Sequence, residues 1–312
     1  MNDHSRVSAG DEPDSFVGRE QELRELQRLA RDKRAVTLCG AGGIGKTRLL
    51  LRLMAALAGD FPDGTWLIEL ADLRQPELVV SRVAAAIGVA EEPGIPLLDT
   101  LADALRTRRL LLALDNCEHL VGACASLCRR LLASSPGLRV LATSRESLRM
   151  AAETVWQVPP LTLPPAGLPP GTVPPRPVPA EDLGSYDAIA LFAERAGRVS
   201  AGFALGPANA AAVVAVCRAL DGLPLAIELA AAWVRVLSVE QIAARLGDRF
   251  QLLTTRGRRP ARTRSRCSPT GPRRSPPASS FSPATARRWW PSAARWTGCR
   301  WPSSWPRRGS GC

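Results

Sequence analysis

The stretch AVTLCGAGGIGKTRLLLRLMAAL, residues 35 to 57, decides the fold. Five residues of β type, 35 to 39, run into a glycine-rich turn, and apolar residues at helical spacing follow at once. The turn, Gly40 to Thr47, matches G-x-x-x-x-G-K-[ST] in the strand-turn-helix setting that gives the pattern its meaning. Gly40, Gly42, Gly43 and Gly45, with Ala41 and Ile44 between them, allow a backbone tight enough to aim N–H groups at phosphate oxygens. The following helix adds positive potential at its N-terminus. Lys46 supplies a charge for β and γ phosphates, Thr47 a hydroxyl suited to Mg²⁺, and Arg48 completes the candidate nucleotide-binding set.

Outward from this turn, FVGREQELRELQRLARD (16 to 32) has helical spacing, and strand-like runs recur at 65 to 70, 109 to 114, 138 to 143 and 154 to 158, with helical patterns between them. Strands alternating with helices predict an α/β fold, a parallel sheet with helices on both faces, over residues 15 to 158. Residues 1 to 14 read as a disordered N-terminus. Ten prolines among the 21 residues from Pro159 to Pro179 mark a linker, 159 to 183, since neither a helix nor a central strand tolerates them. YDAIALFAERA, NAAAVVAVCRAL, LPLAIELAAAWVRVL and VEQIAARLGDRF then predict a small all-α domain of three or four amphipathic helices, 184 to 255.

The formal charge of +12 belongs to the last segment. Residues 256 to 312 contain fourteen of the 41 basic residues and none of the 29 acids, which leaves 27 against 29, or −2, for the rest. That segment also lacks Leu, Ile, Val and Met and carries five of the eight tryptophans, so it cannot build a core and reads as a disordered tail. Three accounts of it stand open: a gene read out of frame past about residue 258, which the composition favours; an ordinary disordered tail; and a nucleic-acid-binding segment acting by charge and stacking. The eight cysteines form no C-x-x-C pair and the N-terminus has no signal-peptide pattern, so the expectation is a reduced, cytoplasmic protein. Charges interrupt every apolar stretch before the ~18 residues of a membrane span, so no membrane partner is expected.

A second aliphatic run, LLLALDNCEHL at 110 to 120, ends in Asp115, where strand ends of α/β sheets place their ligands. Asp115 is the candidate Mg²⁺ partner of Thr47. Asn116, directly after it, cannot accept a proton in the usable pH range and so cannot activate water as a glutamate would. Glu118 is the weaker candidate for that role, its position along the turn being open. Arg145, in LATSR at 141 to 145, is placed to reach a γ-phosphate. Cys124 and Cys128, at i and i+4 beside Val121, Leu131 and Leu132, read as buried helix-face residues rather than as a metal site with Cys117 and His119.

FVGRE (16 to 20), GAGGIGKT, DGTWLIEL (63 to 70), LLLALDNCEHL, LRVLATSRESL (138 to 148) and DGLPLAIELAA (221 to 231) stand in the order found in NB-ARC-type modules of STAND signal-transduction ATPases. The chain resembles most the ATPase module of bacterial SARP and LuxR-like transcriptional regulators, over roughly residues 16 to 255. The resemblance implies an ATP/ADP switch with Mg²⁺, in which Val17 and Arg19 border adenine and ribose. It further implies that Arg145 is the sensor arginine and that Pro224 contacts the nucleotide from the helical domain. In that family the Asp-Asn pair without a following glutamate is ordinary. Self-association on ATP binding and DNA contact through domains missing here also follow from it. The winged-helix, repeat and DNA-binding regions of such regulators are not recognisable after residue 255. Two other classes remain open: an independent P-loop ATPase or kinase-like enzyme, which a catalytic carboxylate beside Asp115 would favour, and a nucleic-acid-binding protein acting through the tail.

Overall fold

The computed structural model describes residues 15–165 and 183–254, the side chains of 247–254 excepted. The readings of 1 to 14, of most of the proline-rich segment and of the tail from 256 therefore lie outside the described residues.

Five strands form the sheet: β1 (Ala35–Cys39), β2 (Thr65–Glu69), β3 (Leu111–Asp115), β4 (Arg139–Ser144) and β5 (Glu153–Gln157). Every pairing is parallel, in the order β2-β3-β4-β1-β5. Helices α1 (Glu20–Asp32) and α2 (Lys46–Leu57) lie on one face, and α3 (Leu78–Ile87), α4 (Leu97–Ala104) and α5 (Val121–Ser134) on the other. This is the α/β architecture that the alternating pattern predicts, with strand positions within two residues of the apolar runs.

Side chains alternate along the strands between two cores. Leu111, Ala113, Leu141, Val36 and Leu38 pack with Leu49, Leu50, Leu53 and Met54 of α2, whereas Leu112, Leu114, Val140 and Ala142 pack with Val83, Leu101, Leu127 and Leu131 of the other layer. Because both faces are covered, β1 and β3 are buried at every residue and read as unbroken aliphatic runs. Leu53 has no exposed surface, and truncating it to Ala would cost about 2–5 kcal/mol through the lost transfer energy and the cavity left behind.

A third core joins α6 (Asp187–Val199), α7 (Ala210–Ala219), α8 (Pro224–Ala232) and α9 (Val239–Thr254) around Phe192, Val213, Val216 and Ile227. Pro224 occupies the first turn of α8, where its missing N–H costs no helical bond. Leu161, in the proline-rich segment, is buried in this third core, and its N–H donates to Gly222 O at 3.0 Å. No helix among the described residues is long and apolar enough to cross a membrane.

Candidate functional site

The C-terminal ends of β1, β3 and β4 converge, with β4 between the other two, and each carries candidate residues. After β1 the chain enters the glycine turn. Gly43 (φ +79°) and Gly45 (φ +94°) are left-handed there, a conformation that costs a side-chain-bearing residue about 1–2 kcal/mol. Gly45 directly precedes α2, so Lys46 and Thr47 open the helix. The Lys46 ammonium donates to the carbonyls of Gly40 (2.9 Å) and Ala41 (3.1 Å), folded back over the loop that it follows.

Asp115, at the end of β3, is 7% exposed. Its carboxylate accepts the Thr47 hydroxyl at 2.9 and 3.0 Å and the Thr143 hydroxyl at 2.5 Å. A carboxylate facing a helix-opening hydroxyl at the mouth of a glycine turn is the hard oxygen donor set that Mg²⁺ takes, and these two residues fit that ion. Thr143, which also accepts the Asn116 N–H at 2.9 Å, was not singled out from the sequence. A hydroxyl inside the aliphatic run of β4, two residues before Arg145, was the available signal.

Asn116 is left-handed (φ +66°), and a 3₁₀ turn over Cys117–His119 follows it. Glu118 accepts from Arg145 Nε at 3.1 Å, while its second oxygen is buried without a hydrogen-bond partner. Arg145 Nη2 lies 3.7 Å from where a Cβ on Gly42 would stand, so the guanidinium reaches the lip of the glycine turn. Burial lowers the pKa of Lys46 from its ordinary value. Against that lowering, the Glu118 charge acts more strongly than that of Asp115, and Arg145 repels the ammonium. Cys117, Cys124 and Cys128 are buried on the core side of the same turn.

Arg19, Val17, Arg48 and Pro224 meet on the other side of the loop. Arg19 is 3% exposed. Its Nη2 donates to Ile44 O (2.8 Å) and Pro159 O (3.0 Å), its backbone N–H donates to Asp187 (3.2 Å), and Nη1 is buried without a partner. Burial lowers its pKa, opposed by Glu22 and Asp187. Arg48 bonds Glu228 of α8 at 3.4 Å and the carbonyl of Ser15 at 2.8 Å. Glu228 also accepts Arg195 Nε at 3.1 Å. Arg19 is thus bonded to the loop's own carbonyl, and the space it shares with Val17, Gly45, Arg48, Leu161 and Pro224 is about 30 Å³. That is far below the ~300 Å³ and more of ordinary ligand pockets.

These features define a P-loop ATPase domain, and residues 27–150 match the family described as the AAA domain. Among similar proteins, one of Mycobacterium tuberculosis described as uncharacterised is 43% identical over 239 residues, covering 77% of this chain and 56% of that protein. A protein of the same organism named as an HTH-type transcriptional regulator is 42% identical over 228 residues, covering 73% of this chain and 23% of the regulator. The chain is therefore related to a regulator, and it spans about half the length of the first relative and under a quarter of the second. The Drosophila origin recognition complex solved on DNA shares the fold at a TM-score of 0.51 and 14% identity, over 77% of this chain and 69% of that one. A likeness at that identity bears on the fold alone.

Proposed function

We propose that the chain is an ATP/ADP-responsive switch module, of the NB-ARC kind, within a cytoplasmic transcriptional regulator. The observation that carries this reading is the seating of the helical layer on the phosphate loop: the Leu225 N–H, in the first turn of α8, donates to Gly43 O at 3.2 Å. A nucleotide entering the loop displaces or reshapes that contact, so occupancy biases the arrangement of residues 15–158 against 184–255.

In this reading the backbone of Gly40 to Thr47 and Lys46 hold the phosphates, and Thr47 and Asp115 hold Mg²⁺, which when bound neutralises charge shared by the β and γ phosphates. Arg145 reports the γ-phosphate. Val17, Arg19, Arg48 and Pro224 border the nucleoside. Hydrolysis is slow, well below ~1 s⁻¹, because Asn116, directly after Asp115, is no base. DNA contact and self-association belong to the longer regulator, and residues 256 to 312 take no part in nucleotide binding.

Calorimetric titration of the protein and of Lys46→Ala with ADP and ATP tests the reading. A charge-assisted phosphate contact of roughly 1.5–3 kcal/mol predicts at least a tenfold loss of affinity. Equal affinities would remove Lys46 from the site and end this reading.

A further inference from the structure

We infer that Glu118 is the general base of this site and that Arg145 is its reversible restraint, exchanged onto the γ-phosphate when ATP binds. The inference rests on the ATP-site reading above and assigns what that reading leaves open, the group that receives the proton of the attacking water.

The backbone explains why the carboxylate is not beside Asp115. Position 116 is left-handed (φ +66°), a conformation that asparagine adopts more readily than most residues with a side chain, and its N–H is tied to the Thr143 hydroxyl. The reversal starts the 3₁₀ turn Cys117–His119, on which Glu118 pairs with Arg145, whose guanidinium stands at the lip of the phosphate loop. A residue two positions later therefore serves where the sequence pattern looks for the residue adjacent to Asp115.

One oxygen of Glu118 is held by Arg145 Nε at 3.1 Å. The other oxygen is buried with no donor, a costly arrangement for a carboxylate that a water molecule donating to it would relieve. A bound γ-phosphate offers Arg145 a better partner at the lip of the loop, within the reach already shown by its 3.7 Å approach to Gly42. In the step that follows, the water oxygen bonds to the γ-phosphorus and the bond from that phosphorus to the β–γ bridging oxygen breaks. ADP leaves with the electron pair, and the water proton passes to the free oxygen of Glu118.

The test uses the full chain, wild type and Glu118→Gln, with ADP and a non-hydrolysable ATP analogue in calorimetry and ATP in single-turnover hydrolysis. Glu118→Gln is expected to keep ADP affinity within about twofold of wild type and to slow hydrolysis about 100-fold or more, the scale of a positioned base. It is also expected to bind the analogue about threefold more tightly, because Arg145 no longer has an ion pair to leave. Arg145→Ala should weaken the analogue and leave ADP unchanged. A Glu118→Gln rate within threefold of wild type overturns the base, and unaltered analogue affinity overturns the restraint. Wild-type protein that binds neither nucleotide sinks the switch reading along with this one, whereas normal wild-type binding with normal Glu118→Gln hydrolysis sinks this inference alone.

Discussion

The N–H of Leu225 donates to the carbonyl of Gly43 at 3.2 Å, and a Cβ placed on Gly43 would stand 2.9 Å from the Leu225 Cβ. A phosphate-loop glycine and the first turn of α8 are thus in contact across some 180 residues of chain, so a change in either is felt in both.

Gly43→Ala is therefore expected to act twice. The left-handed backbone (φ +79°) costs alanine about 1–2 kcal/mol, and displacing Leu225 adds an overpacking cost of about 1–3 kcal/mol. Urea unfolding should show a loss of about 2 kcal/mol or more. A loss under about 0.5 kcal/mol would mean that the helical layer does not rest on Gly43 in solution.

Asp115→Ala should weaken Mg²⁺-dependent ATP binding more than ADP binding, because Asp115 faces the Thr47 hydroxyl and the two would hold a Mg²⁺ that offsets phosphate charge, of which ATP carries more. Titrations with and without Mg²⁺ decide it. If the metal still strengthens ATP binding to the variant as much as to wild type, Asp115 has no part in the metal site.

Cys217 sets a dependence of stability on alkaline pH. Burial in the helical core pushes its thiol up to about 12, from 9.0 in the unfolded chain, and the thiol donates to Ala188 O at 3.5 Å. Since the folded pKa is the higher one, this contribution is fully present below pH 9. Above it the unfolded state ionises first, and stability falls by up to about 1.4 kcal/mol per pH unit until the folded thiol ionises near pH 12. Chemical unfolding at pH 8 and pH 10 should show a steeper fall for wild type than for Cys217→Ala. Equal slopes would exclude this thiol as the cause.

The strands were legible because each carries its own evidence. An aliphatic run such as Leu110 to Leu114, bounded by Arg109 and Asp115, has one low-energy use in a sheet covered on both faces. The glycine turn was legible for the same reason, its left-handed positions being written as glycines. The four helical patterns after residue 183 appear as four helices because amphipathic spacing is likewise local. The strand order β2-β3-β4-β1-β5 was not legible, since runs buried on both faces do not name their neighbours.

The candidate site divides along the same line. Lys46, Thr47 and Asp115 could be named from sequence because each sits at a fixed offset from a strand end. Sequence could not show that Arg19 would be spent on the carbonyls of Ile44 and Pro159, or that Arg145 would grip Glu118, since both depend on where distant segments cross. The sequence by itself determined an α/β sheet with a phosphate loop, an acid at the adjoining strand end and a helical layer to follow. Only the tertiary structure decided which carboxylate pairs with Arg145 and which helix covers the loop. Left-handed backbone at Asn116 and contacts between residues 180 positions apart are chosen by the packing of the whole chain, and no local pattern records that choice.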